Sequence, residues 1–161
     1  MTEQKANLLF EETVFYRDNL RPKINLTIAV LAAVAFLYFS TNIYLRSVSF
    51  FLCAAALWEL FLIIFFRTKI EVSSSEIKVF AAPFNNVKTV FWKEVKSAGS
   101  IRIRSFEGRY PRFGFGDNPF FNAGCTSGIV FNLRDGTTLR LGIKNTAELD
   151  KALRKVFSRK V

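Results

Sequence analysis

Two apolar runs dominate the pattern along the chain. Ile24 to Leu45 (INLTIAVLAAVAFLYFSTNIYL) and Ser47 to Phe66 (SVSFFLCAAALWELFLIIFF) are separated only by Arg46. Each is about 20 residues long, the length that crosses a bilayer as a helix. A link that short returns the second run alongside the first, so 24–66 is expected to form a transmembrane helical hairpin. The lead-in, 1–23, is polar and mixed in charge. Its segment LLFEETVFYR alternates in part and suggests an extra strand for the downstream domain or an interfacial segment, with Pro22 bending the chain towards the first span.

After Phe66 the period changes from helical to alternating. KIEVSSSEIKVF reads as two strands turning at Ser73 to Ser75, and NNVKTVFW as a third after Pro83. Lys93 to Ala98 reads as a short irregular or helical link, and SIRIRSF as a strand with Ile101 and Ile103 on one face and Arg102 and Arg104 on the other. GRYPRFGFGDNPFFNAG, rich in Gly, Pro and aromatics, is expected as a long ordered loop or an irregular hairpin.

GIVFNLRDGTTLRLGI is the strongest local signal: two alternating strands joined at Asp135-Gly136, the dipeptide of a type I′ turn. Ile129, Phe131 and Leu133 share a face with Leu139, Leu141 and Ile143. Asn145 then supplies a helix N-cap. Leu149, Leu153, Val156 and Phe157 form the apolar stripe of a terminal helix, whose outer face carries Lys151, Arg154, Lys155, Arg159 and Lys160.

Charge decides the expected topology. The 161 residues carry a formal net charge of +10, and Lys5, Arg17, Arg21, Lys23, Arg67 and Lys69 flank the hairpin while Arg46 alone marks its turn. Basic residues stay on the cytoplasmic side of membrane spans, so both termini are expected there. Topology accounts for the charge, and no nucleic-acid partner is expected. The two cysteines, Cys53 in a span and Cys125 in the tail, are not placed to pair, which suits a reducing compartment. A secretory signal has one short apolar run near residue 1, so a retained anchor is expected here.

Chemistry is restricted by what the chain lacks. It has no histidine, which excludes His-based nucleophilic triads and His metal sites. The tail carboxylates are scattered without paired spacing, and Gly114-Phe115-Gly116 is too short for a phosphate loop. No catalytic residue, metal or cofactor is expected, and an enzyme is the least favoured class.

Three groups of residues are candidates for recognition. Within the spans, Ala32, Ala33 and Ala55 belong to small-residue stretches that let helices approach closely. Glu59 is the one ionisable residue well inside, and intramembrane charge is costly. Glu59 either contacts a partner helix, cofactor or ion, or it snorkels or is hydrogen-bonded within the hairpin. In the tail, Lys93, Lys96, Arg102, Arg104, Arg109 and Arg112 cluster in sequence. They suit anionic headgroups, an acidic protein, or a merely solvated face. Phe113, Phe115, Phe120 and Phe121 lie within nine residues; some are expected to fill the mouth of a β-barrel, and any left exposed mark a protein contact or membrane dipping.

The order of these elements resembles the bacterial pleckstrin-homology-like domain. Phe91-Trp92-Lys93-Glu94-Val95 is similar to the family's aromatic step after the third strand, and Arg112-Phe113-Gly114-Phe115-Gly116 to its Gly-aromatic-Gly loop. Gly128-Ile129 opens a strand as the family's Gly-hydrophobic pair does. Asp135-Gly136, Leu141-Gly142-Ile143 and Asn145 to Leu153 resemble its closing hairpin and helix. Asn118-Pro119-Phe120-Phe121 departs from the family's more polar stretch. The resemblance covers 68–157 and implies about seven antiparallel strands in a bent barrel capped by a C-terminal helix, in a cytoplasmic domain of 67–161. It implies an interaction module. The expected function is an accessory, assembly or structural subunit of a larger membrane complex, with other membrane subunits as partners. The alternative is a stand-alone lipid-binding or protective protein of the bacteriocin-immunity kind.

Overall fold

The computed structural model describes residues 8–39, 43–104 and 110–158. It divides into a helical unit, Phe15–Phe66, and a β-rich unit, Met1–Val14 with Arg67–Val161. The lead-in is therefore shared between the two units.

In the helical unit, α1 (Leu20–Phe39) and α2 (Ile43–Phe65) pack side by side. α1 starts four residues ahead of the apolar run. Pro22 sits in its first turn, where a backbone N–H has no intrahelical partner to lose, so the proline starts the helix where a bend was expected. Arg46 lies within α2, and not in the link as the hydropathy pattern suggested. α1 ends at Phe39 and α2 begins at Ile43, and 40–42 lie outside the described residues.

The seam between the helices is narrow. Pro22 and Ala33 are buried on α1 and Ser49 and Ala56 on α2, each pair at the spacing of one helix face, and Leu62 is buried near the end of α2. Only 11% of Leu20–Tyr38 and 17% of Ser47–Phe65 is buried within the chain. Core helices of soluble domains are mostly covered, whereas here Leu31, Val34, Leu37, Phe50, Phe51 and Leu57 all face outwards. Both helices are long and apolar enough to cross a membrane. A 3-10 turn, Tyr16–Asp18, packs against both of them.

In the β-rich unit the described residues form nine strands in two sheets. β1 (Leu8–Phe15), β2 (Arg67–Ser73), β3 (Glu76–Ala82) and β4 (Asn86–Phe91) make one sheet in chain order. The lead-in thus supplies a strand, with Lys69 of β2 bridging Glu11 of β1 at 2.8 Å and Glu71 at 2.6 Å. The second sheet has the order β5-β8-β9-β7-β6, from β5 (Val95–Arg102), β6 (Arg112–Phe113), β7 (Phe120–Asn122), β8 (Ser127–Leu133) and β9 (Thr138–Gly142).

This differs from the expected seven-stranded bent barrel in three ways. The strands form two sheets and no closed barrel, and 95–98 is strand where a link was expected. The Gly/Pro/aromatic segment contributes β6 and β7, and β7 pairs with β9 in parallel, Phe120 opposite Arg140 and Phe121 opposite Leu141.

The core lies between the sheets. Alternate residues Ile70, Val72, Ile77 and Val79 of the first sheet and Ile129, Phe131, Leu139 and Leu141 of the second are all buried. Trp92 is buried against Phe131, and its indole N–H donates to Ser73 O at 2.9 Å. The terminal helix α3 (Thr146–Ser158) buries Leu149, Ala152, Leu153 and Val156. Asn145 caps it, its Oδ1 accepting from Glu148 N at 3.4 Å. Phe157 is 38% exposed and meets the edge of Trp92. Arg159 and Lys160 fall outside the described residues.

The Asp135-Gly136 hairpin forms, but without the two left-handed residues of a type I′ turn. Only Gly136 has positive φ there (88°). The Asp135 carboxylate instead accepts from both the N–H and the hydroxyl of Thr137, at 2.8 and 2.7 Å, which holds it below its ordinary pKa.

Candidate functional site

Glu59 is half-buried on α2 and accepts a hydrogen bond from the Tyr16 hydroxyl at 3.0 Å. Tyr16 is fully buried, its N–H donates to Phe66 O at 3.1 Å, and its ring meets Phe66 edge-on. The 3-10 turn therefore brings the carboxylate a donor from the lead-in, which the pattern of the two apolar runs does not reveal. Of the predicted seam alanines, Ala33 is buried and Ala32 half-buried, whereas Ala55 is exposed and its neighbour Ala56 takes the seam.

The basic candidates do not form one row. Lys93, Lys96, Arg102, Arg104 and Arg112 are all exposed. Lys96 and Arg102 lie on β5, at one edge of the five-stranded sheet, while Arg112 lies on β6 at the other, with three strands between. Arg109 falls outside the described residues.

β5 itself is unusual. Lys96, Ser97, Ala98, Gly99 and Ser100 are all exposed, although each of Ser97 to Ser100 has a register partner on β8. Its other side ends the sheet order, and a register shift between Val95 and Ser97 marks where it enters the ladder. A strand exposed on both faces has no alternating apolar signal, so the sequence reads as a link. Natural edge strands are commonly blocked by charge, proline or a covering loop. Here the middle of the edge is Ser-Ala-Gly-Ser, with cations at either end.

The four phenylalanines separate into two pairs. Phe120 and Phe121 are buried on β7, and the Arg140 guanidinium lies 4.6 Å over the Phe120 ring. Phe113 is half-buried and Phe115 is 66% exposed. They cluster with Phe84 of the β3–β4 turn: Phe84 lies 4.9 Å from Phe113 and 6.2 Å from Phe115, and Phe113 lies 5.9 Å from Phe115. Asn86 holds the two loops together, its amide donating to Phe113 O at 2.7 Å and Gly114 O at 3.0 Å. Gly114 has φ 74°, and a Cβ there would enter the Phe121 ring. Phe84 is absent from the sequence-derived set because 29 positions separate it from Phe113.

Glu12 is a further residue that the sequence does not single out. Alternation along β1 turns it to the same side as the buried Phe10 and Val14. Its Oε1 accepts from Asn145 N at 3.1 Å, while Oε2 is buried without a partner among the described residues. Burial pushes its carboxyl above the ordinary carboxylate range, opposed by the Asn145 and Lys144 N–H groups and the Lys144 charge. Cys125 is nearby, buried, and pushed up to about 12 chiefly by burial, with Glu12 adding to it.

Comparison with protein-family models, with curated proteins and with solved structures finds no match. The functional reading therefore rests on the geometry above, whose exposed elements are cations, an open strand edge and aromatic faces.

Proposed function

We propose that the chain is a two-span integral membrane protein with both termini on the cytoplasmic side. It acts without catalysis as an accessory, assembly or structural subunit of a larger membrane complex. Its β-rich domain is read as a variant of the pleckstrin-homology-like domain, supported by the strand succession closed by α3. The observation that carries the proposal is the edge strand β5, bonded on one side and exposed from Lys96 to Ser100. Such an edge accepts an extended peptide through main-chain hydrogen bonds, and Lys93, Lys96, Arg102 and Arg104 favour an acidic one. Two β5 strands pairing antiparallel about Gly99 would oppose Lys96 with Arg102, and like charges directly opposite each other destabilise a pair. A different chain is therefore the better partner.

The test is purification of the tagged protein from its own membranes in mild detergent, with native electrophoresis and mass spectrometry of what travels with it. A stoichiometric membrane partner lost on Lys96→Glu with Arg102→Glu is the expected result. Migration as a lone 18.4 kDa chain overturns the proposal and leaves the stand-alone lipid-binding or protective role.

A further inference from the structure

We propose that the Phe84–Phe113–Phe115 cluster is a third membrane contact, a knob that inserts into the headgroup and upper acyl region of the bilayer. The inference rests on the reading of the helical hairpin as membrane-spanning. Its occupant is the lipid interface, for three reasons.

The first is chain connectivity. Arg67, the first residue after the helical unit, pairs with Ala82, so the β3–β4 turn sits at the end of the sheet where the chain enters it. One peptide step from Phe66 to Arg67, one antiparallel pair and two further steps to Phe84 limit the separation of Phe66 and Phe84 to about 17 Å, however the units are oriented. A tether that short keeps the local concentration of bilayer around the knob high.

The second is chemistry. Phe84 and Phe115 are 50% and 66% exposed at adjoining loop tips, a large cost in water with no function. Protruding aromatic rings suit the interfacial belt, where amphipathic elements bury their apolar side about 5 to 10 Å deep. The third is charge. From Phe80 to Trp92 and from Tyr110 to Asp117 the chain has Lys88 and Arg112 against Asp117, a net charge of +1 (2 − 1) within a chain of net charge +10, so approach to an anionic leaflet is favoured.

The knob is also built rigidly. Asn86 ties both loops together, and Gly114 lets the second loop rest on Phe121. Insertion therefore orders little new chain.

The test uses the full chain reconstituted in vesicles of phosphatidylcholine with phosphatidylglycerol, with Phe115→Trp compared against wild type. Wild-type emission comes from Trp58 within α2 and from Trp92, buried in the β-rich unit, so quenching of the Trp58 share by brominated lipid, read against Trp58→Phe, reports whether the hairpin lies in the bilayer. If that share is not quenched, the membrane reading itself fails. If it is quenched, the emission added by Phe115→Trp should fall at least about twofold with lipid brominated near the glycerol end, more than with bromine near the terminal methyl, because insertion is shallow. Quenching of that added emission by aqueous iodide and not by lipid overturns the knob alone. Protection from both quenchers also overturns it, by showing a protein cover. Phe84→Trp carries the same expectation and covers the case in which Phe115→Trp fails to fold.

Discussion

The Tyr16 hydroxyl donates to the Glu59 carboxylate at 3.0 Å, tying the segment that leads into α1 to the second helix of the hairpin. Two residues separated by 43 positions thus close the helical unit at one end. The Tyr16 main-chain N–H also donates to Phe66 O, one residue past the end of α2, so one buried residue satisfies a side chain through its ring hydroxyl and a carbonyl through its backbone.

Loss of the hydroxyl should destabilise the helical unit. In a double-mutant cycle of Tyr16→Phe and Glu59→Ala, each of which removes one partner of the bond, measured by unfolding in mixed micelles, the coupling should be about 0.6 to 1.7 kcal/mol, the range of interhelical hydrogen bonds in membrane proteins. Additive single effects would show that the bond is worth nothing.

Glu12 should give the β-rich unit an inverted pH dependence. Its folded-state pKa lies above the ordinary value of 4.5, so the native state holds its proton more tightly than the unfolded chain. Stability from this group is greatest below that value and falls as pH rises through the raised folded value. Glu12→Gln, which keeps an acceptor for Asn145 N, should flatten that slope in denaturant titrations from acid to neutral pH. An unchanged slope would assign it to other groups.

Gly114→Ala should be among the most damaging single-methyl additions in the chain. The new Cβ meets the Phe121 ring, and the backbone stands at φ 74°. Overpacking and left-handed strain together should cost about 2 to 4 kcal/mol in denaturant unfolding. Gly136→Ala has the same sign of φ with open space around it, so it should lose only the backbone part, about 1 to 2 kcal/mol. Equal losses at the two sites would remove the Phe121 contact as the cause.

Cys125 should be inert in the folded protein. With its thiol pushed up to about 12, about one molecule in 10,000 carries the thiolate at pH 8. Modification by a disulfide reagent should then proceed at the rate of domain opening and speed up on adding denaturant. Immediate reaction would contradict the burial.

Much of this architecture is legible in the sequence. The apolar runs mark both long helices, and alternation marks β2, β3, β8 and β9, because each buries one face. The terminal helix is announced by Asn145 and its stripe. What escapes notice depends on partners distant in the chain. Lys96 to Ser100 of β5 has no apolar alternation because both faces are exposed there. β7 is held by a parallel pairing with β9. Phe84 and Phe113 become neighbours only when the β-rich unit folds, and Tyr16 and Glu59 only when the 3-10 turn packs on α2. Arg46 looks like a link because charge interrupts hydropathy, although the helix continues through it.

The most direct test of the central claim is site-specific photo-crosslinking from β5 in native membranes. A benzophenone side chain at Ser97, whose Oγ accepts from Asn132 on an exposed surface, reports what lies along that edge. The account predicts one dominant crosslink, to a carboxylate-rich extended segment of a different membrane protein, abolished by Lys96→Glu with Arg102→Glu. The absence of any protein crosslink at Ser97, in membranes where the chain is folded and abundant, would contradict it.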